Sequence, residues 1–195
     1  MMSVALWVGC IAFSLMYPLT KYSGKLKSGL AWWGSKASVL YLIALLQAAV
    51  MIFMLHLCDG FEPVEMGKTL AVACLASVAF MSVMYFFTNT FGKVGSFLML
   101  VFMVIQLAGS VGTYPLELSG SFVPYLHDWV PFTYTVEAFR STISGGESIQ
   151  EAVIFLTVLW IVFTLLTILE FQIRTLKMKR GKRTLDNWLE EKGLA

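Results

Sequence analysis

The residues best placed to do chemistry in this chain do not complete a catalytic set. Gly67-Lys68-Thr69 ends like a phosphate-binding loop, in which backbone N–H groups and a lysine cradle phosphates. The preceding glycine is Gly60, which leaves six intervening residues where such a loop needs four, and no strand pattern leads into it. His56, Cys58 and Asp59 suggest a metal, yet His127 is the only other histidine and no zinc-type ligand spacing occurs, so a polar helix end accounts for them. Neither Gly-x-Ser-x-Gly nor His-Glu-x-x-His is present, which removes the usual hydrolase chemistries. Cys10, Cys58 and Cys74 are too few and too scattered for a disulfide framework. The expectation is a protein that is not an enzyme and uses no cofactor and no metal.

The remaining polar residues of interest sit in or beside apolar stretches. Gln47 and Gln106 interrupt otherwise greasy runs and are expected to hydrogen-bond across to a neighbouring helix. Ala73, Ala76 and Ser77 form a small-residue strip that admits such a neighbour closely. Glu170 and Arg174, acid first at i, i+4, read as the anchor of a helix end at a membrane edge. No ionisable group falls in the middle third of any run, and self-sufficient ion-coupled transporters require such groups.

The elements that hold these residues are five apolar runs over 3–19, 37–57, 69–91, 94–112 and 152–173. Each approaches the roughly 20 apolar residues a helix needs to cross a hydrocarbon core. With 58% hydrophobic residues and a mean hydropathy of +0.76, the 195 residues leave too little polar chain to coat a soluble core. The fold class is therefore all-α, a polytopic membrane helical bundle with the lipid bilayer as its solvent. Of fourteen Lys and Arg residues, all but Lys68 and Arg140 fall in alternate gaps: Lys21 to Lys36, Lys93, and the tail from Arg174 to Lys192. The positive-inside rule makes those gaps cytoplasmic, so the N-terminus faces out and the C-terminus in. Five crossings require opposite ends, as found. A start outside after so short a lead fits the C-terminal portion of a longer protein with a crossing upstream. The net charge of +2 is spent on topology and predicts no nucleic-acid partner.

Two gaps stand out. The inner one carries Lys25, Lys27 and the pair Trp32 and Trp33, a composition suited to a membrane-edge segment or to a docking surface for a soluble partner. The outer one, 113–150, is too long for a turn and too apolar for a solvated loop. Pro131 suits the first turn of a helix in which Phe132, Val136, Phe139 and Ile143 share a greasy face, with Glu137 and Arg140 on the other side and Gly145-Gly146 as a stop. Ser148 and Glu151 then form a capping box for the last run. This reads as a re-entrant or interfacial hairpin between crossings four and five. The expected organisation is a five-helix domain over 1–173 followed by a basic cytoplasmic tail over 174–195.

The segment from Gln106 through Gly109-Ser110-Val111-Gly112-Thr113-Tyr114-Pro115 to Glu117, then Val130 to Arg140 and Ile143 to Gly146, resembles the C-terminal membrane domain of the YhgE/Pip (phage infection protein) family, within the type-2 ABC exporter membrane superfamily. The resemblance implies a bacterial cytoplasmic-membrane bundle, a homodimer or a hetero-oligomer with membrane partners. It places 21–36 where superfamily members carry the helix that couples to a separate ATPase. On that basis the expected function is the membrane subunit of a transport or export assembly. Pro115, Glu117, Pro131, Tyr134, Glu137 and Arg140 are then the expected outer gate, with a static staple as the other reading of the Glu137 and Arg140 pair, and Lys25, Lys27, Trp32 and Trp33 the expected cytoplasmic coupling loop. The rival expectation is a membrane anchor for an extracytoplasmic phage-receptor or secretion-accessory domain.

Overall fold

The structure is a computed structural model that describes residues 1–17, 29–109, 130–146 and 148–179. Six helices account for nearly all of them, and no strand occurs among the described residues. They are α1 (Met2–Met16), α2 (Gly29–Asp59), α3 (Met66–Phe91), α4 (Lys93–Gly109), α5 (Pro131–Ser144) and α6 (Gln150–Lys179). Three of these, α2, α3 and α6, are long and apolar enough to cross a bilayer. Within the described residues α1 and α4 are shorter apolar helices. Helix α2 starts at Gly29, eight residues ahead of the apolar run, and α6 continues through Arg174 to Lys179. Periodicity of apolar residues marks the membrane-depth part of a helix, and good helix formers extend it past that depth.

Helix α3 is the axis. It is buried on most of its surface, and every other helix packs against it. The residues that permit this are small: Ala73, Ala76, Ser77 and Ala79 are wholly buried, as are Ala44 and Ala48 on α2. Lipid tails are as apolar as leucine, so helices in a bilayer gain from close backbone approach and interhelical hydrogen bonds rather than from escaping water. The outer faces of the surrounding helices show the complementary pattern. Phe53 on α2, Phe97 on α4 and Leu169 on α6 are each about 60% exposed, within continuous apolar surfaces no water-soluble monomer presents.

Aromatic residues fasten the other helices to this axis. Trp7 on α1 is fully buried, edge-on to Phe80 of α3 at 4.9 Å and to Phe132 of α5 at 5.5 Å, and its Nε1 donates to the Met99 carbonyl of α4 at 3.3 Å. Toward the other end Phe171 of α6 meets Trp32 of α2 at 4.8 Å and Tyr85 of α3 at 5.8 Å.

Two glycines allow backbones to meet. Gly29 sits where a Cβ would lie 2.9 Å from the Phe171 carbonyl oxygen, and at Gly95 a Cβ would fall 2.0 Å from the Phe87 carbonyl oxygen. The second closes the corner at Gly92, whose φ of 60° turns α3 into α4. Gly95→Ala is therefore expected to destabilise the protein by about 2–4 kcal/mol. Gly34→Ala, where nothing lies within 4 Å, should be neutral or gain up to about 1 kcal/mol from helix propensity. Thermal unfolding of the two variants in detergent separates these outcomes.

Candidate functional site

Helix α5 is short and polar-faced, and it is wedged among apolar neighbours. Pro131 occupies its first turn as expected, since a residue with no N–H loses nothing there. Gly145, with φ 69° and ψ 39°, ends it, and the N–H of Gly146 bonds the Ser141 carbonyl at 3.0 Å. One end of α5 reaches the middle of α3, where Phe132 packs at 5.7 Å on Phe80. The other end meets the head of α3: Val64 N–H bonds the Ile143 carbonyl and Glu65 N–H the Thr142 carbonyl, both at 3.2 Å. Those bonds satisfy terminal carbonyls that a helix cannot pair internally.

The buried face of α5 differs from the expected stripe. Phe132 and Phe139 are buried, but Val136 and Ile143 are half-buried, and Thr135, Ala138 and Thr142 complete the inward side. Threonine is tolerated there because its hydroxyl returns to its own helix: Thr135 donates to the Pro131 carbonyl at 2.8 Å and Thr142 to the Phe139 carbonyl at 3.2 Å. A hydropathy pattern counts those residues as polar and so rotates the predicted face.

On the opposite side α5 and the start of α6 enclose an open cleft of about 970 Å³. Glu137, Arg140 and Ser141 line it from α5, and Ser148, Gln150 and Glu151 from the far wall. A smaller hollow of about 350 Å³ shares Ser141, Ser148 and Gln150 and adds Glu65 and Lys68, which are ion-paired at 2.8 Å. Ser148 Oγ accepts the Gln150 N–H at 3.3 Å, but the expected capping box with Glu151 is not formed, since the Glu151 carboxylate makes no return bond among the described residues; Glu151 lies in the first turn, at the positive end of the helix dipole.

Of the expected gate residues, Pro131, Tyr134, Glu137 and Arg140 do gather on α5. Tyr134 stacks flat on Phe155 of α6, 3.9 Å between centroids, which fastens α5 to α6 beside the cleft. Pro115 and Glu117 lie outside the described residues, as do Lys25 and Lys27 of the expected coupling loop and most of the basic tail. Trp32 departs from the reading of an interfacial or docking surface, because α2 begins before it and packs its ring against Phe171, 3% exposed. Trp33 is half-buried, and its carbonyl accepts the Tyr85 hydroxyl at 3.4 Å.

Two polar centres inside the bundle complete the picture. Gln47 makes the expected cross-helix bonds: its Nε2 donates to the Leu6 carbonyl and to Ser77 Oγ, each at 2.9 Å, while Ser77 Oγ donates to the Ala44 carbonyl at 2.7 Å. Gln106 does not follow suit; it is fully buried, and its amide meets no protein partner among the described residues. The pair Glu170 and Arg174 is more than an anchor of a helix end. Arg174 is 6% exposed, and its guanidinium donates to Glu170 at 3.0 Å and also to the Asn89 carbonyl at the end of α3. Thr90 donates to the other Glu170 oxygen at 2.6 Å. The i, i+4 spacing was visible in the sequence, whereas its partners on α3 were not, since they are some eighty residues away. At the far end of α2, His56 Nδ1 lies 2.9 Å from the Phe61 carbonyl, the polar helix end expected there.

Three helices long and apolar enough to cross a bilayer, two of them with broadly exposed apolar faces, and a short polar-faced helix set among them mark a membrane protein. The chain belongs to the ABC-2 family transporter proteins: that family's profile matches residues 25–169, which include α2 through most of α6. It is also similar to the uncharacterized protein YhgE of Bacillus subtilis (strain 168), with 33% identity over 146 residues, 75% of this chain. The chain spans 19% of that relative's length. No solved structure matches it. The expected membership in a YhgE-like ABC-2 membrane domain thus stands.

Removing one partner of a buried ion pair strands the other. Arg174→Leu is expected to cost about 3–5 kcal/mol and the double change Glu170→Leu/Arg174→Leu clearly less. A double-mutant cycle with both single variants on chemical unfolding checks this; a double-variant loss equal to the sum of the two single losses would show that the pair does not act as a unit.

Proposed function

We propose that this chain is the membrane-embedded component of an export assembly that draws its power from a separate ATPase, and that it is not itself an enzyme. Family membership supports the transport role. The single structural observation that carries the reading further is α5, a short helix that starts level with the middle of α3, ends at its head, and opens a polar cleft on one side. Such a helix, held at the head of α3 by two backbone bonds, at its middle by Phe132 on Phe80 and at α6 by one aromatic stack, would serve as the closure of the cleft. Tyr134, Glu137 and Arg140 would act in it.

The proposed topology has five crossings, with α1 and α4 among them. The start of α1, the end of α2 and the cleft face outward, and the Glu170–Arg174 pair faces the cytoplasm. The Lys21 to Lys36 gap would meet the ATPase, with Tyr17 and Lys36 at its edges already joined by a cation–π contact at 4.7 Å. A cytoplasmic-membrane location and assembly with a second copy or another membrane chain belong to the same proposal.

A second reading has one observation in its favour. The YhgE relative is about five times the length of the matched stretch, so a domain of this kind also occurs attached to much more chain. In that case the bundle serves as an anchor for an extracytoplasmic phage-receptor or secretion-accessory region.

Affinity isolation of the tagged protein from native membranes is expected to recover an ATPase, and inside-out vesicles should show nucleotide-dependent flux. Absence of both would sink the export reading and leave the anchor. Topology has its own check in the exposed Cys58, beside the end of α2. An impermeant maleimide added to intact cells should label it, whereas a cysteine placed at Ala195 should react only after permeabilisation.

A further inference from the structure

We propose that the cleft between α5 and α6 binds a zwitterionic phosphate–ammonium group, with Arg140 taking the phosphate and Glu151 the ammonium. The inference rests on the transport reading of this chain and names the chemical class its outer cleft accepts.

Lys68 is paired with Glu65, Arg174 with Glu170, and Lys36 lies over the Tyr17 ring. Arg140 and Glu151 differ: among the described residues neither side chain has an ion-pair or hydrogen-bond partner, and both are exposed in the same cleft from different helices. Two open charges of opposite sign on separate walls suit a ligand that carries both signs. A simple anion would meet the carboxylates of Glu137 and Glu151, and a simple cation would leave the guanidinium unmatched.

The groups beside each charge refine the assignment. A guanidinium presents a planar fork of donors that matches phosphate oxygens better than an ammonium does. Ser148, which lines the cleft and whose Oγ acts as an acceptor toward the Gln150 N–H, offers its hydroxyl hydrogen to a remaining phosphate oxygen. Glu151, in the first turn of α6, offers a carboxylate, an acceptor-only group that suits an ammonium. The cleft, at about 970 Å³, lies within the range of small-molecule sites.

The surroundings point to a lipid as the source. Directly below Glu151 on α6 begins an exposed apolar row of Ile154, Val158, Ile161 and Leu165, each about half exposed. A head group seated in the cleft would leave its acyl chains along that row, inside the apolar belt.

The test is calorimetric titration of the purified chain in detergent, with neither ATPase nor nucleotide present, so that failure of binding and failure of flux are scored separately. The probes are short-chain phosphatidylethanolamine, short-chain phosphatidylglycerol and free phosphoethanolamine. Saturable binding of the ethanolamine lipid at least tenfold tighter than the glycerol lipid is expected. Arg140→Gln and Glu151→Gln should each weaken it at least tenfold, and the exchange Arg140→Glu with Glu151→Arg should restore a measurable part. Tighter binding of the lipid than of free phosphoethanolamine assigns the ligand to the bilayer, and equal binding assigns it to a soluble zwitterion; either supports the site. Equal affinity for the two lipids, or indifference to both glutamine variants while their thermal unfolding stays unchanged, would overturn it.

Discussion

In a bilayer there is no water to accept a stray hydrogen bond, so a polar group at depth is costly unless it finds a partner inside the protein. Most of this architecture follows from that demand. Hydroxyls return to their own helices, as Thr157 does to Val153 and Thr167 to Phe163, each at 2.7 Å, so threonine and serine cost little on helices that face lipid. Groups too long to fold back reach sideways instead, and each such reach fixes the register of two or three helices. Gln47 sets α1 and α2 against α3, and Arg174 with Glu170 sets α6 against the end of α3. A Leu at either place would make none of these bonds and so would specify nothing.

The same demand explains why α3 is central. It carries alanines and a serine where two backbones must nearly touch, and hydroxyls and the Asn89 carbonyl where neighbours need a hydrogen bond. The helices around it contribute side chains of the reverse kind, large and apolar outside, small or aromatic inside. Trp7 illustrates the economy of this arrangement. Its ring packs against two helices and its single N–H ties a third, so an indole that would be expensive in hydrocarbon becomes a junction.

Much of this was legible in the residues. Length, hydropathy and the distribution of lysines and arginines announce membrane helices, the Ala73, Ala76 and Ser77 strip announces the close packing of α3, and Pro131 with Gly145 brackets α5 to the residue. What escaped was of two kinds. The first is rotational: Thr135 and Thr142 look polar on a wheel yet are buried, because back-bonding hides their hydroxyls, and Trp32 looks interfacial yet is covered, because helix α2 begins before its apolar run. The second is nonlocal. Nothing near Glu170 in the sequence names Thr90 or Asn89 as partners, and nothing near Arg140 places it in one cleft with Glu151. Periodicity speaks only for a segment's own faces, and a site shared by distant segments needs the packing to be known.

The corner at Gly92 bears on how such a protein is made. Helices α3 and α4 meet through residues close in sequence, from Phe87 to Gly95, with Thr88 Oγ1 already 3.1 Å from Ser96 Oγ. A pair closed by such local contacts can assemble as soon as both segments have left the ribosome, before α5 and α6 are synthesised. The axis would then stand in the membrane as a finished hairpin, and the later segments would dock on a template instead of searching for one.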